Sequence, residues 1–313
     1  MALARNRFLS HARLLLCFLP FLLAVQACEE TRPSTQIVSS ITPLSLVAQS
    51  LTQDTSISCC TNITKAEGYH QASLSPSQVK NIRGAELLLL VGNEAYAERA
   101  LSYRPSQANV IELISHTMNA HDHHAGHIHD DIHHGENPAS AHPWLNPQRV
   151  QGFAARFTEV LKDRYPDEAE KFEDNLQKFN AELEASNAEI AEMLQTLAEK
   201  NNQLRLIEMH EVLSEFAPFF GVEISNAIRD ESDRAMGSKE FTELARKVSV
   251  QPERYCLVAA LEDRVEASAM SDRLGVRLIT YPLYAPDSSE SVSYASYLEK
   301  IAQRLSDCLI ANK

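Results

Sequence analysis

Histidines are concentrated in one short stretch of this sequence. Nine of the twelve lie between residues 116 and 142, interspersed with four acidic residues. Neutral imidazole is a common ligand of borderline metal ions such as zinc, and free imidazole, with a pKa of about 6.5, is largely neutral at pH 7. The composition predicts several low-affinity sites that collect metal ions, and a solvated loop without a metal function is the alternative. The predicted collector histidines are His116, His121, His123, His124, His127, His129, His133 and His134.

Three further histidines lie at junctions between predicted elements. His70 lies in GYHQASLSPSQV, ahead of a helix that begins at proline. His142 lies in AHPWLNP, ahead of another such helix, and His210 lies in LIEMHEVLSEF, directly after an apolar run. Ligands of open α/β sheets bind beyond the carboxyl ends of the strands. A single histidine is more often structural than a ligand, but one metal ion between two lobes could contact all three.

Short apolar runs alternate with helical patterns along the chain, in two blocks. Because the runs are continuous rather than alternating, they are typical of parallel sheets that are covered on both faces. We predict an α/β protein with two lobes, each with a mostly parallel central sheet flanked by helices. The first lobe spans residues 34–165, with a mobile loop over 116–141, and the second spans residues 201–313. The runs lie at 36–41, 86–92, 109–113, 204–209, 222–225, 255–260 and 276–279.

A long helix is predicted between the lobes, over residues 166–200. From Asp167 to Lys200 the sequence lacks glycine and proline, and its larger apolar residues recur at steps of three, four and seven. This spacing places them in one stripe along a helix of roughly 50 Å. We predict a rigid strut that packs along both lobes, and the seam of a short coiled-coil dimer is the alternative.

Residues 1–27 are organised like a secretory signal peptide. Three arginines and no acidic residue precede an apolar run that ends at Val25, and this run is too short to span a bilayer comfortably. A membrane anchor is the alternative. Cleavage would place Cys28 first, where lipoproteins are acylated, so we expect a periplasmic chain that is soluble or lipid-anchored. Loss of the three arginines takes the net charge from −13 to −16, which disfavours nucleic acid and anionic membranes as partners.

The cysteines suit an oxidising compartment, in which disulfides persist. Cys256 lies in the strand-like run YCLVAA, and Cys308 lies near the end of the last helical segment. A disulfide between them would tie that helix to the sheet. Cys59 and Cys60 are adjacent, and a disulfide between neighbours is strained. A thiolate metal site is conceivable there, and two small residues buried at a strand end are the simpler interpretation.

The ordered set of motifs resembles a known family over nearly the whole chain after residue 27. HQASLSPSQVKNIRGAELLLLVG, HPWLNP and MHEVLSEFAPFFGVE are similar to three blocks of the metal-binding (cluster A-I) solute-binding proteins of ABC transporters. A His-rich insertion ahead of the tryptophan motif is typical of the zinc-uptake, ZnuA-like branch. The resemblance implies Zn(II) held in a cleft by His70, His142 and His210, delivery to a permease powered by an ATPase, and a monomeric receptor. A cysteine pair in the second lobe of some members agrees with Cys256–Cys308.

The sequence departs from the family pattern at one position. Many relatives have an aspartate as a fourth ligand in an Asp-Pro-Leu turn, but here Tyr281 precedes Pro282. A neutral tyrosine is a poor zinc ligand, so water or a carboxylate is expected in the fourth position. Glu67 and Asp287 are near enough in the sequence to be considered, and we assign neither. Loss of an oxygen ligand disfavours manganese and suits zinc.

Other functions remain open at the level of sequence. Three histidines and an open position also describe a catalytic zinc, and Glu211 beside His210 is the one base candidate for a hydrolase. The sequence has no HExxH pair and no nucleophile motif, so we expect a binding protein and not an enzyme. A stand-alone zinc chaperone or buffer and an adhesin are the remaining alternatives.

Overall fold

The structure, a computed structural model, describes five segments of the chain: 36–63, 73–114, 141–200, 205–284 and 292–310. The predicted signal peptide, Cys28, His70, the eight collector histidines, Glu67 and Asp287 lie outside these segments.

Two four-stranded parallel sheets form the centres of the two lobes. In the first sheet, with spatial order β2-β1-β3-β4, the strands are β1 (Ile37–Ile41), β2 (Cys59–Ile63), β3 (Leu87–Leu90) and β4 (Asn109–Glu112). In the second, with order β6-β5-β7-β8, they are β5 (Arg205–His210), β6 (Ile224–Arg229), β7 (Tyr255–Ala260) and β8 (Arg277–Tyr281). All neighbouring strands run parallel, which confirms the predicted fold class.

Helices cover both faces of each sheet. Within the described segments they are α1 (Thr42–Leu51), α2 (Pro76–Gly84), α3 (Ala97–Tyr103), α4 (Pro147–Arg164), α5 (Ala169–Lys200), α6 (Phe216–Phe219), α7 (Ser238–Val250), α8 (Arg264–Leu274) and α9 (Tyr294–Leu309). Local sequence sets several of their beginnings. The Ser75 side chain and Gln78 form a capping box ahead of Pro76, and the Asn146 side chain accepts hydrogen bonds from two backbone N–H groups at the start of α4.

The predicted strut is α5, a continuous helix of 32 residues that is about 48 Å long. Its buried stripe includes Phe172, Leu183 and Ile190, and Ser186 lies in the gap of the apolar spacing. The stripe packs within the chain, against α1, α4 and α9, so it is not a coiled-coil seam between two copies. None of the helices that the structure describes is both long and apolar enough to cross a membrane.

One apolar core runs continuously between the two sheets. It includes Leu87 of β3, Phe157 of α4, Leu183 of α5, Val258 of β7 and Ile301 of α9. Two smaller cores lie on the outer faces, beneath α2 and α3 in the first lobe and beneath α7 and α8 in the second. The lobes therefore share a large hydrophobic interface rather than being joined only by a linker.

The disulfide between Cys256 and Cys308 is present, which confirms the predicted pair. It joins the second residue of β7 to the last turn of α9 across a sequence separation of 52 residues, with 5.9 Å between the Cα atoms. Cys59 is the first residue of β2, and its Sγ lies 3.5 Å from Ser45 Oγ. It is only partly buried, whereas the simpler interpretation of the sequence expected full burial.

Candidate metal centre

His142 lies in the segment that connects the first sheet to α4. It is followed by a single 3₁₀ turn, Pro143–Leu145, and by Asn146, the N-cap of α4. The imidazole is completely buried, and the Trp144 ring contacts it edge-on, with 5.3 Å between ring centres. Pro143, Pro147 and the Asn146 cap fix the backbone conformation on the C-terminal side of His142. Burial fixes the orientation of its side chain.

His210 is the last residue of β5. The chain order of the second sheet reverses between β5 and β7, and the crevice at the carboxyl ends of strands at such a reversal is the usual place for ligands in open α/β sheets. His210 is buried, with 8% of its surface exposed. The apolar run LIEM therefore positions a polar, metal-ligating group at the edge of the sheet that faces the other lobe.

The structure brings these two histidines together. Their ring centres lie 5.5 Å apart and the ring planes are nearly perpendicular, at 85°. A zinc ion with Zn–N bonds of about 2.0 Å would lie about 3.1 Å from each ring centre, and a tetrahedral angle would then separate the centres by about 5.1 Å. The observed separation is thus compatible with two imidazoles binding one ion.

The third predicted ligand, His70, lies outside the described residues, as do the collector histidines. Within the described segments no group of three histidine, cysteine, aspartate or glutamate residues is arranged to hold a metal ion. The assignment of His70, and of the complete ligand set, stays a prediction.

Two carboxyl groups, Glu208 and Glu211, lie close to His210 along the chain. Glu208, two residues before His210 in β5, is fully buried, and its Oε1 accepts hydrogen bonds from Val212 N (3.3 Å) and Leu213 N (2.9 Å). Desolvation outweighs these bonds and raises the pKa of Glu208 to about 8. Burial and the neighbouring Glu231 also raise the pKa of Glu211. Both groups line a cavity of about 590 Å³ beside β6.

Tyr281 lies at the end of β8, where the resemblance places an aspartate ligand. It is fully buried and pairs in register with Ala260 of β7. Burial raises the pKa of its phenol well above the ordinary value, so the side chain is neutral. No hydrogen-bond partner for Tyr281 Oη lies among the described residues. These properties agree with the expectation that this position does not supply an anionic ligand.

Sequence reasoning missed the groups that support the histidine pair. Tyr294 at the start of α9 donates a hydrogen bond from its Oη to the Trp144 carbonyl (2.8 Å), and the Tyr284 ring lies 5.6 Å from the Trp144 ring. Glu215 and Glu231 make polar contacts between the two histidine-bearing segments. The motifs quoted above contain Trp144 and Glu215, but nothing in the sequence pairs them with partners 66 to 150 positions away.

A protein-family model and a characterised relative both match this chain over nearly its whole length. A family model described as "Zinc-uptake complex component A periplasmic" matches residues 37–308. The high-affinity zinc uptake system protein ZnuA of Yersinia pestis is 25% identical over 335 aligned positions, which cover 98% of this chain and 99% of that protein.

Solved structures share the fold at lower identity. A zinc-bound deletion mutant of ZnuA superposes with a TM-score of 0.69 at 19% identity, covering 90% of this chain and all of that one. The solute-binding protein FpvC of Pseudomonas aeruginosa, in complex with Mn²⁺, superposes with a TM-score of 0.65 at 14% identity, covering 88% of this chain and 98% of that one. The fold alone therefore does not select between the two metals.

Proposed function

The chain belongs to the family of periplasmic zinc-uptake component A (ZnuA) proteins, and on this premise we propose that it captures Zn(II) between its lobes and delivers the ion to a membrane permease. As a member of that family it is a periplasmic metal-binding receptor of a zinc uptake system and not an enzyme. Such receptors work with the permease and ATPase of an ABC transporter. The choice of zinc, the ligands and the route of delivery form the proposal.

The observation that carries the proposal is the buried, perpendicular pair of His142 and His210. In the proposed site His70 supplies a third imidazole, and water or a carboxylate occupies the fourth position. Imidazole ligands favour zinc over manganese, which prefers oxygen. The neutral, buried Tyr281 in place of an aspartate supports the same choice.

The His-rich segment has a separate role in this proposal. It ends immediately before His142, so ions that it holds weakly are released close to the tight site. Such a collector raises the rate of capture more than it raises the equilibrium affinity. Many weak sites beside one tight site also supply ions when free zinc fluctuates.

Calorimetric titration with zinc tests both assignments. We expect one tight site and several weak ones in the protein that lacks residues 1–27. The His142→Ala and His210→Ala variants should lose the tight site alone, and deletion of residues 117–137 should remove only weak sites. A tight site that survives in both histidine variants would refute the proposed ligands, and its loss in the deletion would refute the division of labour.

The proposed route to the periplasm is export by residues 1–27. Mass spectrometry of the protein from membrane and soluble fractions distinguishes the two proposed forms. A mature chain that begins at Cys28 with the mass of added acyl groups would identify a lipid-anchored receptor. The same chain without that added mass would identify a soluble one.

A further inference from the structure

Glu215 connects the His210 segment to the start of α4. Its Oε2 accepts hydrogen bonds from Asn146 Nδ2 (2.9 Å) and Arg149 Nε (3.2 Å), and its Oε1 lies 3.1 Å from Arg149 Nη2. The Arg149 guanidinium therefore makes a bidentate contact with both carboxylate oxygens, which is the strongest geometry for such a pair. The Glu215 side chain is 13% exposed and the Arg149 side chain is 46% exposed, so the carboxylate is largely shielded while solvent screens the pair from the arginine side.

Glu231 makes the corresponding connection on the other side of His142. Its Oε2 accepts a hydrogen bond from Ala141 N (3.2 Å), the residue directly before His142. Its Oε1 accepts a second from Ser214 Oγ (2.5 Å), in the segment that follows His210. One carboxylate thus contacts both histidine-bearing segments.

We propose that Glu215 and Glu231 are positioning residues that hold the His142 and His210 segments together and thereby set how fast the receptor releases its metal. We call these two carboxylates the bracket, together with their partners Ala141, Asn146, Arg149 and Ser214. This inference rests on the proposed function, because it takes the two histidines as ligands. The bracket contacts lie on both sides of His142 in the chain, at Ala141 and at Asn146 and Arg149, and directly after His210, at Ser214 and Glu215. Contacts of the protein itself therefore hold the two rings in apposition.

This arrangement has a kinetic consequence. An ion that leaves the pair must wait for the segments to separate, so each bracket contact slows the escape of the ion. Preassembled ligands also cost less ordering free energy on binding. A weaker bracket should therefore raise the dissociation rate constant of zinc more than it lowers the association rate constant. A partner that competes for Glu215 or Arg149 would accelerate release.

Stopped-flow transfer of zinc to a chelator tests the bracket in the Glu215→Gln and Glu231→Gln variants. We expect zinc dissociation to be roughly 5- to 20-fold faster in each, with association changed less than about twofold. The charge-swapped double variant Glu215→Arg/Arg149→Glu should recover part of the loss, because it restores the ion pair but leaves Asn146 Nδ2 without its acceptor. Glu243→Gln is the matched control, because Glu243 pairs with Lys247 at 3.2 Å within α7, with both side chains 57% exposed.

Trp144, the one tryptophan of the chain, gives a second readout that needs no metal. It is buried against His142, so weakening the bracket should make its fluorescence easier to quench with acrylamide in zinc-free protein. Unchanged dissociation and unchanged quenching in folded Glu215→Gln and Glu231→Gln proteins would overturn the bracket. Retention of tight zinc in the His142→Ala and His210→Ala proteins would instead overturn the proposed function, and the quenching would still report on the bracket.

Discussion

At the scale of single residues, Glu208 is a carboxylic acid that is almost completely buried. Burial removes its carboxyl group from water, and two backbone N–H groups return only part of the lost solvation. Its pKa of about 8 means that the protonated form predominates at pH 7 in the folded, metal-free protein. His210 is therefore not backed by a full negative charge from this residue, although a carboxyl group lies two positions away.

Replacement of this acid by an amide gives a prediction about stability. Because the folded-state pKa of Glu208 lies above its ordinary value of 4.5, the folded protein keeps this proton between about pH 4.5 and 8 while the unfolded chain loses it, so the free energy of unfolding falls as pH rises through this range. Glutamine does not titrate, so Glu208→Gln removes this pH dependence. In zinc-free protein the free energy of unfolding of the variant, relative to that of the wild type, should therefore rise between pH 5 and pH 8 by on the order of a few kcal/mol. Melting temperatures at the two pH values measure this gain. Parallel curves for the two proteins would contradict it, and Glu243→Gln serves as the exposed control.

Tyr281 tests whether the position of the family aspartate still contributes to metal binding. Its buried Oη has no partner among the described residues, so loss of the hydroxyl breaks no hydrogen bond within them. We expect Tyr281→Phe to leave zinc affinity within about twofold and to change the free energy of unfolding by no more than about 1 kcal/mol. Calorimetric titration measures the zinc affinity, and urea denaturation measures the free energy of unfolding. A loss of tight zinc binding would identify the phenol as a ligand.

At the scale of elements, most of the fold could be predicted from the sequence. The continuous apolar runs identified seven of the eight described strands, because parallel strands are buried on both faces. The exception is β2, whose residues CCTNI lack such a run and whose position follows from pairing with β1. The short helices α3 and α6 are likewise not marked by the sequence, since AERALSY and FAPF are too brief for a clear helical period. Tertiary contacts decide such segments, and sequence patterns do not record them.

The disulfide between β7 and α9 provides a prediction at the same scale. It closes a loop of 52 residues, and the chain-entropy account assigns such a loop about 4 kcal/mol. Arg277 Nη2 also donates hydrogen bonds to the carbonyls of Asp307 and Cys308 (2.6 and 2.7 Å), which anchors this helix end separately. We expect the Cys256→Ala/Cys308→Ala variant to lose about 2 to 4 kcal/mol in urea denaturation, with zinc affinity unchanged. A weaker tight site would show that the disulfide also positions the metal centre.

For the molecule as a whole, the proximity of His142 and His210 could be predicted from the sequence, and the residues around them could not. His142 and His210 stand out because their residue type and junction positions are visible locally in the sequence. Three of the four residue pairs of the bracket are 66 to 90 positions apart, the fourth is 17 apart, and its two carboxylates belong to ordinary glutamates. Only the packing of the lobes distinguishes Glu215 from an exposed glutamate such as Glu243.

The continuous core limits how far the lobes can separate. Relative motion of domains is the usual expectation unless their interface is large and hydrophobic, and here one apolar core includes residues of both sheets and of α1, α4, α5 and α9. Wide opening would expose that core to water, whereas loosening of the bracket affects only the edge at the histidines. We therefore expect zinc to change the radius of gyration by less than about 0.5 Å, relative to roughly 19 Å for a folded chain of this size. Small-angle X-ray scattering with and without zinc measures the change, and the variant that lacks residues 117–137 excludes any contribution of the collector segment. A decrease of more than about 1 Å in that variant would indicate closure of whole lobes, and release would then depend on the shared core rather than on Glu215 and Glu231.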